Sequence, residues 1–211
     1  MIGKIQNNSE PEQLKQNLER YRKLAIDSGA SDAAIVPTSM VVVDERVLMK
    51  CRIPLCNVYG ACMNCPPHTG SIEDLQRRLD LYEYAIVMKL DVPGPRIAGA
   101  AARGDEGVED LKKLCKIVSE VESAAYYDGY YFAAGFSSGS CLFTWCRGLE
   151  CQAVTGKGCR QRARAYPSME AVGVDVFHLA SSIGWEIYPI GMSATAEMIP
   201  QGGRYGMVLV V

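Results

Sequence analysis

Apolar residues recur every three or four positions in four stretches of the chain, the spacing that places them on one face of an α-helix. The first stretch has clear boundaries, because Ser9 and Glu12 have the spacing of a capping box. Pro11 falls in its first turn and Gly29 ends it. The predicted helices are residues 9–28, 71–84, about 107–127 and 168–184.

Short runs of β-branched and aromatic residues lie between these helices and predict strands. The run MVVV is ambiguous, because the overlapping VVVDERVLM also fits a helix. Residues 93–105, rich in proline, glycine and alanine, predict a linker or a mobile surface loop. The predicted strands are AAIV (33–36), MVVV (40–43), AIVMKLDV (85–92), YYFAAGF (130–136), and two more at about 185–190 and 204–211.

The alternation of helices and strands predicts an α/β or α+β fold: one compact mixed-sheet domain over residues 1–211, flanked by helices. Residues 1–93 and 105–211 share one order of elements, which is helix, strand, four cysteines, helix and strand. The first cysteine spacing also repeats, as C-x4-C in CRIPLC and in CLFTWC. This similarity indicates either two pseudo-symmetric halves or the coincidence that alternating elements often produce.

The composition argues against several classes of function. The formal net charge of −2 argues against a nucleic-acid surface, since phosphate binding usually needs a basic excess. No apolar run reaches the roughly 18–20 residues that span a bilayer. The N-terminal residues contain no apolar signal-peptide core, so we expect a soluble cytoplasmic protein. In a reducing cytoplasm, nine cysteines favour metal binding or catalysis over disulfides.

Eight of the nine cysteines fall into two groups of four. Within the groups the gaps are four, five and two residues, and then four, four and seven. Each group lies along one segment, which is more typical of an iron–sulfur loop than of two separate zinc knuckles. Neither group reproduces the C-x2-C-x2-C-x3-C-P run of bacterial ferredoxins, and zinc remains the alternative. The predicted ligands are Cys51, Cys56, Cys62 and Cys65 in the first group, and Cys141, Cys146, Cys151 and Cys159 in the second.

Neighbouring residues fit a metal site as well. Five glycines let backbone amides approach sulfur, and five arginines either offset the charge of a thiolate cluster or are solvated on loops. Cys115 lies on the apolar face of a predicted helix and is expected to be a core residue. Neither His68 nor His178 is predicted to be a ligand. The glycines are Gly60, Gly139, Gly148, Gly156 and Gly158, and the arginines are Arg52, Arg147, Arg160, Arg162 and Arg164.

The two cysteine motifs, the Cys65-Pro66-Pro67 turn and the stretch PSMEA (167–171) resemble the DUF2284 family. Its members are described as predicted metal-binding proteins common in anaerobic bacteria and archaea. The resemblance covers most of the chain and implies cysteine ligands at Cys51, Cys56 and Cys65. It leaves Cys62 open. Without Cys62, the first cluster would have three protein ligands and an open iron.

The leading hypothesis is an iron–sulfur protein with two [4Fe–4S] clusters, one per cysteine group, that exchanges electrons with a redox partner protein in anaerobic metabolism. One alternative is a redox enzyme whose open-site cluster acts on a small substrate. The other is a zinc-stabilised interaction module without redox chemistry. No nucleic-acid or membrane partner is expected. The sequence contains no P-loop, dinucleotide fingerprint or HExxH motif.

Overall fold

The computed structural model describes residues 10–211. Ser9, the predicted cap of the first helix, lies outside these residues. Helix α1 (Pro11–Asp27) has Glu10 at its N-cap position and a proline in its first turn. Gly29 follows the helix at φ 107°, a left-handed conformation that costs glycine little because it has no Cβ. The helix therefore ends where the glycine predicts.

The described residues form one four-stranded sheet in the order β1-β2-β4-β3, and all three neighbouring pairs are antiparallel. The central pairing joins β2 to β4 over eight residues, from Ala85 opposite Leu209 to Val92 opposite Gly202. The mixed α/β class is therefore confirmed. The strands are β1 (Asp32–Pro37), β2 (Tyr84–Val92), β3 (Ala134–Phe136) and β4 (Gly202–Leu209).

Helices cover both faces of the sheet. On one face, α1 and α5 (Asp105–Tyr127) pack against alternate residues of β2 and β4, including Ile86, Met88 and Val208. On the other face, α3 (Ile72–Leu79) and α7 (Val176–Ile183) pack against the intervening residues, including Val87, Met207 and Leu209. Since β2 is buried on both faces, its sequence is an almost unbroken apolar run. Three shorter helices are α2 (Glu45–Arg52), α4 (Gly94–Ile97) and α6 (Cys141–Thr144).

Several predicted strands differ in the structure. MVVV is not a strand, and Val43 makes only an isolated bridge with Val174. The helical alternative is correct in part, since Asp44 accepts a hydrogen bond from the Arg46 amide and caps α2. No strand forms at 185–190, and in 130–136 only Ala134–Phe136 pairs with β4.

Two helical segments also differ from expectation. The predicted loop 93–105 contains α4 and a 3-10 turn at Gly99–Arg103. The helix predicted at 168–184 is interrupted, because Gly173 adopts φ 94° and a Cβ there would clash with Ile72. A 3-10 turn at Glu170–Val172 precedes this break, and α7 follows it. Because of this interruption, Glu170 lies in a short turn and is not part of the surface of a continuous helix.

One end of the sheet contains strand ends that lie near the candidate site. Strand β2 finishes there and β4 begins there, as the pairing of Val92 with Gly202 shows, while β3 runs toward the same end and stops at Phe136, opposite Met207. The second cysteine group starts immediately after β3, at α6. Within residues 10–211, no helix combines the length and apolar character needed to cross a membrane.

We expect Leu114→Ala to lower the free energy of unfolding by about 2–5 kcal/mol, because the side chain is fully buried between α5 and the sheet. Leu81→Ala is the matched control, since Leu81 is 80% exposed. Its effect should stay within about 0.5 kcal/mol. Urea unfolding followed by circular dichroism measures both. Equal effects of the two substitutions would contradict this description of the core.

Candidate metal centre

Short turns hold the cysteines of both groups. In the first, the amide of Cys56 donates to the carbonyl of Cys51 at 3.0 Å, and the amide of Cys65 donates to that of Cys62 at 3.0 Å. In the second, Ser140 caps α6 through its side chain, which accepts from the Leu142 amide. These local bonds explain how closely spaced cysteines direct several sulfurs toward one region.

The two cysteine groups meet in the interior. Cys62 Sγ lies 3.4 Å from Cys141 Sγ, although the two residues belong to different groups in the sequence. Cys65 Sγ lies 3.4 Å from Ser140 Oγ. Cys62, Cys65 and Cys141 are here called the central thiols. Apolar side chains surround them, namely Val58, Leu142 and Phe143.

Hydrogen bonds distribute charge unevenly among the central thiols. The thiols of Cys141 and Cys65 stabilise the Cys62 thiolate, which lowers the pKa of Cys62 well below its ordinary value. The same bonds, followed by burial, raise the pKa of Cys65 and of Cys141.

The other cysteines surround the central thiols at longer range. Burial raises the pKa of Cys51, and the charge of Cys56 raises it further. The charge of Cys56 also acts on the pKa of Cys65. These interactions connect the outer members of the first group to the centre.

In the second group, Cys146 is the cysteine whose pKa responds to cysteines of both groups. Burial raises its pKa most, and the charges of Cys159, Cys151 and Cys62 raise it further. The charge of Arg160 opposes them. Cys62 is thus electrostatically linked to the second group as well as being in contact with Cys141.

Polar groups hold the two segments against each other. Asn64 Nδ2 donates to the Ala165 carbonyl at 3.0 Å and lies 3.6 Å from Cys141 Sγ. The Gln161 amide donates to Cys159 Sγ at 3.3 Å, the kind of N–H donation that thiolate ligands receive in metal sites. Arg160 donates to the Glu150 carbonyl at 2.7 Å, which fixes the loop between them.

This donor set fits a thiolate-bound metal. All nine cysteines lie in the described part of the chain and are free thiols. Eight of them occupy the two segments, where an amide and a carboxamide donate toward sulfur. Sulfur ligands of this kind suit iron–sulfur clusters or zinc. Among residues 10–211, no three histidine, cysteine, aspartate or glutamate side chains are already arranged around the position of a single metal ion.

The remaining candidates behave as core or loop residues. Cys115 is buried in α5, with its sulfur 3.3 Å from Ser137 Oγ, and burial raises its pKa. His68 Nε2 lies 3.1 Å from the Gly60 carbonyl, and His178 lies on the exposed side of α7. Ser168 caps the 3-10 turn after it, since its hydroxyl accepts from the Ala171 amide at 3.1 Å.

A cavity of about 540 Å³ borders the first cysteine group. Cys51, Cys56 and Cys65 form part of its wall. The charged residues that line it are Arg103, Glu170 and Arg204, while Phe143 and Phe177 contribute apolar surface. A space of this size, apolar with a few polar groups, is typical of small-molecule sites.

Electrostatic coupling links the charged residues of the cavity. Glu170 is exposed on the wall of the cavity, where desolvation by the surrounding protein raises its pKa, while Ser168 and Arg204 oppose this effect. Burial lowers the pKa of Arg204, and the charges of Asp110 and Glu170 raise it. Arg204 Nη2 donates to the Ala102 carbonyl at 3.1 Å. Its Nε has no hydrogen-bond partner in the described part of the chain.

Sequence reasoning missed these two charged residues. Glu170 looked like an ordinary first-turn residue of a long helix, and the break at Gly173 removes that role. Arg204 carried a usable signal, since it is a lone charge near the start of the otherwise uncharged strand GGRYGMVL. Arg160 and Arg162, two of the arginines beside the second cysteine group, do not line the cavity.

We expect Asn64→Ala to destabilise the protein by about 1 kcal/mol, because it removes the carboxamide that joins the two cysteine segments. It should also lower the metal content of the purified protein. Leu55→Ala is the control, since Leu55 is 71% exposed on the same segment. Urea unfolding and elemental analysis measure the two effects. If both variants behave alike, the bridging role of Asn64 is wrong.

Comparison with known proteins identifies the family of the chain. No curated protein and no solved structure gives a significant match. The sequence model of one family, described as predicted metal-binding protein (DUF2284), matches residues 34–210. This range includes all nine cysteines, and with them the central thiols. The chain therefore belongs to the DUF2284 family of predicted metal-binding proteins.

Proposed function

We propose that this protein is an iron–sulfur protein that binds two [4Fe–4S] clusters through the eight cysteines of its two groups and transfers single electrons in anaerobic metabolism. The observation that carries the proposal is the 3.4 Å contact between Cys62 and Cys141, which joins the two cysteine groups into one centre. Two adjacent clusters supply a one-electron couple when bound. Eight thiolates on two segments match the ligand count of two such clusters.

The surrounding residues are suited to control this couple. Val58, Leu142 and Phe143 exclude water from the central thiols, and burial of this kind tunes the potential of a cluster. Donation from the Gln161 amide to Cys159 Sγ partly neutralises a thiolate, which favours the reduced state. Arg160 adds a positive charge near Cys146, with the same direction of effect.

The second cysteine segment also offers a surface for a redox partner. Residues 141–164 contain five basic side chains and one acidic side chain, although the whole chain has a net charge of −2. The five basic residues are all exposed. A redox protein with an acidic surface therefore fits this face, because complementary charges speed encounter. The free thiols suit a reducing compartment, and we propose the cytoplasm.

Protein purified without oxygen should contain about eight irons and eight acid-labile sulfides per chain. After reduction with dithionite, its EPR spectrum should contain the signals of reduced cubane clusters. Iron and sulfide analysis with EPR makes this test directly. Zinc without sulfide would refute the proposal and leave a zinc-stabilised module.

The cavity favours a second candidate function, reduction of a small organic acid at the first cysteine group. Arg103 and Arg204 outnumber the single carboxylate of Glu170 among the lining charges, so the cavity attracts anions. Arg204 lies on the cavity wall, and a guanidinium group is a good partner for a carboxylate. In this function the electron goes to a molecule in the cavity rather than to a partner protein.

Benzoate and benzamide test whether the cavity selects a carboxylate. We expect the protein with its metal bound to take up benzoate more tightly than the neutral amide, measured by titration calorimetry. Arg204→Gln should weaken benzoate binding roughly ten- to a hundred-fold, because a charged hydrogen bond is lost. Arg78→Gln, a substitution on the exposed face of α3, should leave it unchanged. Equal binding of both probes, or binding of neither, would exclude this function.

A further inference from the structure

The charged side chains on the wall of the cavity have no ion-pair partner. Arg103, Glu170 and Arg204 all line the cavity, and in the described part of the chain none of them belongs to an ion pair. Buried Asp110 stabilises the charge of Arg204 without lining the cavity, and its own ion pair is with Arg96, at 2.7 Å. The three charges on the wall are therefore available to a bound molecule.

The two arginines belong to neighbouring segments of the wall. Arg204 is near the start of β4, and its Nη2 donates to the carbonyl of Ala102, the residue before Arg103. The Arg103 guanidinium lies over the Phe143 ring, 4.8 Å from the ring centroid. The hydrogen bond between the segments thus brings two cationic residues to one region of the wall, which suits a carboxylate.

Glu170 adds a negative charge from a different element. It begins the 3-10 turn at Glu170–Val172, and Thr69 holds this turn by donating to the Ala171 carbonyl at 2.7 Å. Its side chain is exposed on the wall, so a molecule in the cavity can reach the carboxylate. Desolvation raises the pKa of Glu170, and a bound ammonium group would favour the ionised form, as Arg204 already does.

The presence of Glu170 works against a ligand that has only a negative charge. A simple carboxylate attracted by Arg103 and Arg204 would be repelled by Glu170, since like charges close together lower affinity. A ligand with both a carboxylate and an ammonium group gains from all three side chains. Phe143 and Phe177 add apolar surface for the rest of such a molecule, and the cavity of about 540 Å³ has room for it.

We propose that the cavity binds a zwitterionic amino acid, with its carboxylate toward Arg103 and Arg204, its ammonium group toward Glu170 and its side chain against the aromatic rings. This inference rests on the second candidate function, because it concerns the same cavity. It narrows the substrate class from organic acids to amino acids. Glu170 is then a specificity residue, which discriminates against acids that lack an amine.

Matched pairs of probes test this recognition on the protein with its metal bound. Phenylalanine differs from 3-phenylpropanoate only in its ammonium group, and 4-(aminomethyl)benzoate differs in the same way from 4-methylbenzoate, with its two charges further apart. We expect the amino acid of at least one pair to bind roughly ten- to a hundred-fold more tightly than its matched acid in titration calorimetry. The matched amines, 2-phenylethylamine and 4-methylbenzylamine, lack the carboxylate and should also bind more weakly than that amino acid.

Glu170→Gln should remove the advantage of the amino acid, because the amide has no charge to attract ammonium. Its affinity for the matched acid should stay the same or rise, since a repulsive charge is lost. Glu12→Gln is the matched control, because Glu12 is exposed on α1, and it should change neither affinity. Circular dichroism checks that the variants fold, and the comparison of probes on the wild-type protein needs no variant.

The results separate this inference from the function on which it rests. If the matched acids bind as tightly as the amino acids in both pairs, the amino-acid assignment is wrong and the second candidate function keeps a simple acid as its substrate. The assignment is also wrong if Glu170→Gln strengthens the binding of both members of a pair alike. If neither acids nor amino acids bind, the second candidate function fails together with the assignment.

Discussion

The antiparallel pairing of β2 with β4 is the constraint on which the rest of the structure depends. These strands come from distant parts of the chain, and their pairing over eight residues joins the half of the sheet that contains β1 and β2 to the half that contains β4 and β3. Backbone hydrogen bonds fix the register, and alternate side chains enter two separate cores. A shift of one residue would exchange those cores and move the start of β4, where Gly203 and Arg204 line the cavity. The sheet thus fixes the wall of the cavity that β4 supplies, whereas local turns hold the thiols.

Much of the fold could be predicted from local patterns. The long periodic segments became α1 and α5, and the continuous apolar run became the central strand β2. Prediction was wrong where a local signal competed with tertiary packing. MVVV has strong strand character, but within the described residues Val43 makes only an isolated bridge with Val174, and the helix capped by Asp44 starts directly afterwards. At Gly173 a periodic helix pattern was interrupted by close approach of Ile72, a contact that no local window contains.

The candidate site was predictable in its composition and not in its arrangement. Residue type and spacing identified the eight thiols. Spacing along a chain, however, contains no information on contacts between residues 62 and 141, which depend on how the sheet aligns the segments. The charged lining of the cavity was hidden for the same reason, because Glu170 and Arg204 meet only in the folded chain. Sequence reasoning therefore finds features that depend on residue type and local spacing, and it misses features that depend on contacts between distant residues.

The position of β4 also determines when the sheet can be completed during synthesis. On the ribosome, β2 leaves the tunnel long before Gly202, so its apolar edge waits without its central neighbour. Only β1 can cover the other edge during this interval. Long-range pairings of this kind form slowly, and exposed apolar strands invite aggregation. Until β4 is synthesised, this edge of β2 is open to pairing with other chains.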